Sequence, residues 1–140
     1  MSRIDTEYVI RPIGRVESPL ADRESAPRQG DEGAPDAWLV FTADASPGLL
    51  GLEVGADVLV LTWLDRADRA TLRVHPRGDL SRPEQGVFAT RSPDRPNPIG
   101  LHRVRILAIE ENRFLVGDLE AIDGTPIVDV KPVLGAISER

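Results

Sequence analysis

The chain has 140 residues, a formal net charge of -6 and an apolar fraction of 41%. It reads as one domain, residues 1–140 with no additional C-terminal domain, long enough for a hydrophobic core and without any run near the roughly 18 apolar residues of a membrane span. The absence of Cys excludes disulfides, thiolate zinc sites and Cys nucleophiles, and the acidic balance disfavours general nucleic-acid binding, which phosphate neutralisation drives.

The opening "MSRIDTEYVI" has no apolar signal core, so the cytoplasm is the expected compartment. Residues 6–17, "TEYVIRPIGRVE", read as an edge strand, because Pro12 cannot donate to a ladder. Residues 18–36 hold three Pro, two Gly and many charges; loops of that length are functional or disordered. "AWLVFT" (37–42) is a strand, and "SPGLLGLEVGA" a turn or short helical turn. "DVLVLTWLD" (57–65) is apolar on both parities, as in a strand buried on both faces. "ATLRVHP" (70–76) alternates, and "GVFAT" (86–90) is a short strand.

Next comes "RSPDRPNPIG" (91–100), which packs Pro93, Pro96 and Pro98 among Arg91, Asp94, Arg95 and Asn97. Each Pro fixes its own φ and biases the residue before it away from the helical region. The loop is therefore pre-organised, and its unpaired carbonyls and N–H groups are expected to be free for a ligand. A rigid structural turn with incidental arginines is the competing reading. "IGLHRVRILAIEE" (99–111) alternates, with Val104, Ile106 and Ala108 on the parity of His102. Glu111-Asn112-Arg113 is a hairpin turn, "FLVGDLEAI" (114–122) a strand, Asp123-Gly124 a tight turn, and "TPIVDVKP" (125–132) a last short strand.

Few segments hold a helical period, and strands recur with turn chemistry between them. The predicted fold is all-β: a compact antiparallel single-sheeted β-barrel with long functional loops and little helix. No G-x-G-x-x-G or P-loop motif occurs, so a doubly wound nucleotide fold is not expected. His75 and His102 read as ordinary strand-end or surface residues. The acids are scattered, so no metal is expected. The genome's base composition explains the Arg-rich, Lys-poor balance as well as any function; so does bidentate binding of anionic groups by some arginines. "APRQG" (26–30) offers the donors of Arg28 and Gln29 in the long loop. "DGTPIVDVKP" places Asp129 and Lys131 on one strand face, where an exposed ion pair would contribute little.

"PRQG", "GVFATRSPDRPNPIGL" and "DGTPIVDVKP", in this order, resemble the TsaA-like (TrmO-type) family, over nearly the whole chain from "IGRVESP" to Lys131-Pro132. The resemblance implies a β-barrel homodimer that binds S-adenosylmethionine and works as a methyltransferase, methylating N6 of threonylcarbamoyladenosine beside the tRNA anticodon. It implies a cofactor site of Pro27, Arg28, Gln29, Asp65, Arg66, Arg91, Leu101, Asp129, Val130, Lys131 and Pro132. Asp65 and Asp129 are the candidate catalytic carboxylates. Three places depart from the family: its His-Arg reads Asp65-Arg66, its Ser-His reads Ala56-Asp57, and its Lys-Pro-Tyr reads Lys131-Pro132-Val133. The departures fall on side chains expected to touch a nucleic acid rather than on the cofactor loop. Two other functions stay open: the same catalyst acting on a small-molecule acceptor, and a non-catalytic barrel that binds S-adenosylmethionine.

Overall fold

In the computed structural model the longest strand is the one with the clearest alternation. Residues 6–135 are described; residues 1–5 and 136–140, which include the first half of the segment read above for a signal core, lie outside them. The strands are β1 (Gly14–Glu17), β2 (Ala37–Phe41), β3 (Asp57–Trp63), β4 (Arg73–Val74), β5 (Gln85–Gly86), β6 (Ile99–Glu110), β7 (Arg113–Val116) and β8 (Pro126–Pro132). Six of them form one antiparallel sheet in the order β1-β2-β7-β6-β3-β8, closed by a short pairing of β1 with β8; β4 and β5 form a separate ribbon. The remaining regular structure is short 3-10 turns. The predicted all-β barrel with long loops is the fold observed.

Alternation sets the interior. On β6 the side chains of His102, Val104 and Ile106 point inward and those of Leu101, Arg103 and Arg105 outward, as a period of two requires. Val16, Leu39, Phe41, Val58, Val60, Phe114, Val116 and Ile127 join them in one core. Phe41 and Phe114 meet edge to face with centroids 5.5 Å apart, a favoured aromatic geometry.

Several boundaries differ from the sequence reading. β1 starts only at Gly14, and the residues from 6 to 13 are not strand. β3 is not buried on both faces: Val58, Val60 and Thr62 are enclosed, whereas Leu59, Leu61 and Trp63 are half-buried on the outside. A closed barrel has one interior, so a strand apolar on both parities must show its second face. Of the strand expected over 70–76, only Arg73 and Val74 pair. Val87–Ala89 form a 3-10 turn instead of a strand. The Val87 carbonyl accepts from the Thr90 N–H (3.0 Å), the Thr90 hydroxyl (2.9 Å) and Arg95, so local donors take the group a neighbouring strand would need. β7 ends at Val116, and two residues later Asp118 adopts φ 53°, a left-handed conformation that interrupts extended backbone.

Candidate functional site

The loop from Arg91 to Pro98 is stiff, as its prolines require, but most of its polar groups are engaged with the protein. Asp94 accepts from the Asp68 N–H (2.8 Å) and from Arg23 (3.1 Å). Arg69 donates to the Pro96 carbonyl (2.7 Å) and to Asn97 Oδ1 (3.1 Å), and its guanidinium lies 5.1 Å from the Trp63 ring centroid. Arg95 turns inward and donates to the Val87 and Thr90 carbonyls. Pro98 is buried, and its carbonyl accepts from the Leu64 N–H (2.8 Å). The carbonyls expected to be open to a ligand are thus largely occupied. Burial alone would raise the Asp94 carboxyl, but the Asp68 N–H and Arg23 outweigh it and hold the group below its ordinary range.

Arg91 is the exception. It is exposed, and its guanidinium makes no hydrogen bond or ion pair among the described residues. The guanidinium of Arg28 in the "PRQG" segment, which lies over Gly78, is likewise without a partner among the described residues, although the Arg28 backbone reaches the Glu32 carboxyl. Pro27 is half-buried and Gln29 exposed; Gln29 precedes the 3-10 turn Gly30–Glu32, and its N–H donates to Glu32 Oε2 (3.3 Å). Glu32 pairs with Arg77 at 2.7 Å. The Arg77 hydrogen bond holds the Glu32 carboxyl below its usual range. Gly30 packs so closely on the Asp118 carbonyl that no Cβ would fit there.

Leu101, Asp129 and Lys131 come together on the outer face of the β6–β3–β8 sheet. Leu61 is paired with Leu101 on one side and Asp129 on the other; Leu59 lies between Arg103 and Lys131. The β3–β8 register shifts just before Asp129, between Ile127 and Asp129, and such bulges re-aim side chains beside sites. Asp129 Oδ1 accepts from the Val130 N–H (2.8 Å), and Lys131 lies 3.4 Å from its other oxygen. Val130 packs against the core, and Pro132 is exposed. Leu101 is 45% exposed and Ile99 42%, so this sheet face carries an open apolar strip beside its charges.

Asp65 and Arg66 follow β3 on the exposed turn. The Asp65 side chain has no partner among the described residues. Arg66 is used structurally: it donates to the Ala21 carbonyl (3.1 Å) and its own carbonyl accepts from Arg23 (3.3 Å). At the place of the family's Ser-His, Asp57 receives Arg105 (3.0 Å) and Arg103 (3.2 Å). Its carboxyl is held below its usual range by Arg105 first and Arg103 second. Among the described residues no three His, Asp or Glu side chains gather as a metal-ligand set, and no helix is long and apolar enough to cross a membrane.

The sequence reading missed two things. One is the arginine scaffold of Arg23, Arg69 and Arg95 beneath the proline loop, for which the sequence carries no signal. The other is His102, which is 5% exposed rather than a surface residue and sits between Thr62 and Glu120. Its place on the apolar parity of β6 was the available signal.

Comparison with known proteins fits this architecture. Residues 15–138 match the family model described as the tRNA-methyltransferase O N-terminal domain. The chain is 44% identical over 123 residues to an S-adenosyl-L-methionine-binding protein of Archaeoglobus fulgidus, covering 88% of this chain and 87% of that one. It is 42% identical over 128 residues to a probable S-adenosyl-L-methionine-binding protein of Methanothermobacter thermautotrophicus, covering 91% of each. A crystal structure of TrmO from Pseudomonas aeruginosa superposes with a TM-score of 0.74 at 30% identity, covering 92% of this chain and 57% of that one. The chain therefore spans under two thirds of the length of that solved protein. With the match running from β1 past β8, the chain belongs to the family of tRNA-methyltransferase O N-terminal domains.

Proposed function

We propose that the chain is an S-adenosylmethionine-dependent methyltransferase whose acceptor is N6 of threonylcarbamoyladenosine beside the tRNA anticodon, and that it acts as a cytoplasmic homodimer. The observation that carries the cofactor reading is the division among arginines. Arg23, Arg66, Arg69 and Arg95 are tied to the protein, while the guanidinium groups of Arg28 and Arg91, on the two motif loops, have no partner among the described residues. Guanidinium groups that stay free on a pre-organised loop suit a carboxylate.

The donor set fits the cofactor in kind. Arg91 and Arg28 would hold its carboxylate. Asp129, oriented by the bulge and by the Val130 N–H, would accept from a hydroxyl or an ammonium. Leu101 and Leu61, paired across β6 and β3, would give apolar cover to a ring. When bound, the cofactor supplies an activated methyl on a positively charged sulfur. The protein's part is to orient that methyl toward the acceptor and exclude water. An amide-like acceptor nitrogen needs a base to take its proton. The Asp129 carboxylate is already engaged, whereas both oxygens of Asp65 are without a partner among the described residues, so Asp65 is the carboxylate assigned to that proton.

Most of the candidate residues are exposed on the single chain, and the apolar strip of Ile99, Leu101, Leu61 and Trp63 borders Asp129 through Leu61. A second copy set against this strip would enclose the cofactor; that is the basis for the homodimer. A second acceptor reading is favoured by the net charge of -6 and by Asp65 and Val133 at places where the family has His and Tyr: the same catalyst with a small-molecule acceptor.

Calorimetry with S-adenosylmethionine and S-adenosylhomocysteine tests the cofactor, and no binding of either overturns it. Methyl transfer to bulk tRNA, against transfer to a small-metabolite pool, decides the acceptor. Binding without turnover on either leaves a cofactor-binding barrel.

A further inference from the structure

The barrel interior is apolar except at one end. The buried polar side chains among the described residues are Thr62, His102 and Thr125, and two of these belong to one chain of contacts. Thr62 Oγ1 lies 2.7 Å from His102 Nε2, and His102 Nδ1 lies 2.5 Å from Glu120 Oε1. An ionised carboxylate only accepts, so Nδ1–H donates to Glu120. The Thr62 hydroxyl, which can donate or accept, completes the ring's hydrogen bonding at Nε2. Apolar residues of similar size would stabilise a barrel end as well as or better than such a network, whereas a fully satisfied polar network fixes one geometry.

The two ends of this network meet the two motif loops. At one end, a Cβ on Gly30 would come 3.1 Å from Glu120 Oε2 and collide with the Asp118 carbonyl. Gly30 directly follows Pro27-Arg28-Gln29. At the other end, a Cβ on Gly100 would collide with Thr62 Oγ1 and His102 Nε2. Gly100 closes the proline loop that carries Arg91, and Leu101 follows it. Thr62 and Gly100 are also paired in the β3–β6 register.

We propose that Glu120, His102 and Thr62 are positioning residues that set the "PRQG" turn and the start of β6 relative to each other, and so fix the spacing of Arg28 from Arg91 and Leu101. The assignment rests on the cofactor reading above. The network touches backbone at Gly30 and Gly100 from below and reaches no exposed candidate side chain. It acts only through the loops.

Glu120→Ala cuts the network at its partly buried end, and Glu120→Gln keeps an acceptor oxygen for Nδ1–H. Amide hydrogen exchange and S-adenosylhomocysteine calorimetry, run on both variants and the wild type, give the test. In Glu120→Ala, exchange is expected to speed up about tenfold at both 28–32 and 99–103, with no change across β1 and β2, and affinity to fall about tenfold. Glu120→Gln is expected to return both to within about threefold of wild type. In the wild type, the ligand is expected to shift the His102 ring N–H resonance, which a purely structural ring would not show. Thr62→Val, which removes the hydroxyl and keeps the shape, covers the case in which Glu120→Ala fails to fold, and the same loosening of both segments is expected. Faster exchange confined to 117–121, or equal losses in Glu120→Ala and Glu120→Gln, overturns the proposal. Tight wild-type binding with Glu120→Ala unaffected overturns the positioning role alone. Loop coupling in a wild type that takes up no ligand overturns the cofactor reading and leaves the coupling standing.

Discussion

The two motif loops are both held in place, but by different means. The 91–98 loop is tied by hydrogen bonds to backbone carbonyls, by the Asp94 carboxylate and by the buried Pro98. The 27–33 segment depends on the close packing of Gly30 and on an exposed ion pair, Glu32 with Arg77, whose Arg partner sits at φ 55°. The Arg95 bonds are part-buried and involve no carboxylate, so they resist salt and acid better than an exposed ion pair, which is screened and weak. The first loop is therefore a fixed frame, and the second is the adjustable side of the site.

Removing the frame's inner tie has the largest expected effect. Arg95→Ala leaves the Val87 and Thr90 carbonyls without that donor and should cost about 2–3 kcal/mol of stability, read by denaturant unfolding. A loss below about 0.5 kcal/mol would show that water replaces the guanidinium at no cost. Arg91→Ala, four residues earlier on the same loop, should do the reverse. It leaves unfolding unchanged and weakens S-adenosylmethionine binding by more than about 1.5 kcal/mol, roughly tenfold. Unchanged affinity removes Arg91 from the site.

Arg69→Ala loses two exposed hydrogen bonds and the contact with Trp63. A loss of about 1 kcal/mol is expected, together with faster amide exchange at Asn97 and Ile99. On the other loop, Arg77→Ala should cost under about 1 kcal/mol, and the cost should shrink further at high salt. A salt-independent loss would mean that the backbone at Arg77, not its charge, holds the loop.

Acid provides the smallest and most local test. The folded carboxyl of Glu32 titrates below its ordinary value of 4.5, through the Arg77 hydrogen bond. Its folded form thus binds fewer protons than its unfolded form. The tie is complete above that value and is lost as the pH falls through the lower folded one. Exchange at 29–33 should accelerate there in the wild type and show no such pH step in Glu32→Gln. Persistence of the step in the variant would assign it to another group.

Much of the architecture was legible in the sequence because its signals are local. Alternation from Leu101 to Ile109 placed His102, Val104 and Ile106 on one face, and Asp123-Gly124 marked the turn before β8. The misreadings have a common cause. The Val87 carbonyl is taken by Thr90 and Arg95 rather than by a strand, and β7 stops where the chain turns at Asp118. In both cases the chain turns inside the expected strand, at Val87–Ala89 and at Asp118, which the apolar pattern does not show.

The same division holds for the site. The sequence alone determined that residues 91–98 form a stiff loop, because each proline restricts its own φ and the conformation of the residue before it. It also determined that Asp129 and Lys131 share a strand face. Only the closed barrel decided which arginines are free. Residues 23, 69 and 94–97 are distant in the chain, and their pairing follows from the fold. Arg91 and Arg95 look alike in sequence; one is exposed with no partner among the described residues and the other is spent on backbone carbonyls. Closure also turned one parity of β3 outward and enclosed His102 between Thr62 and Glu120, because a barrel has one interior and the contacts inside it join residues that no local pattern links.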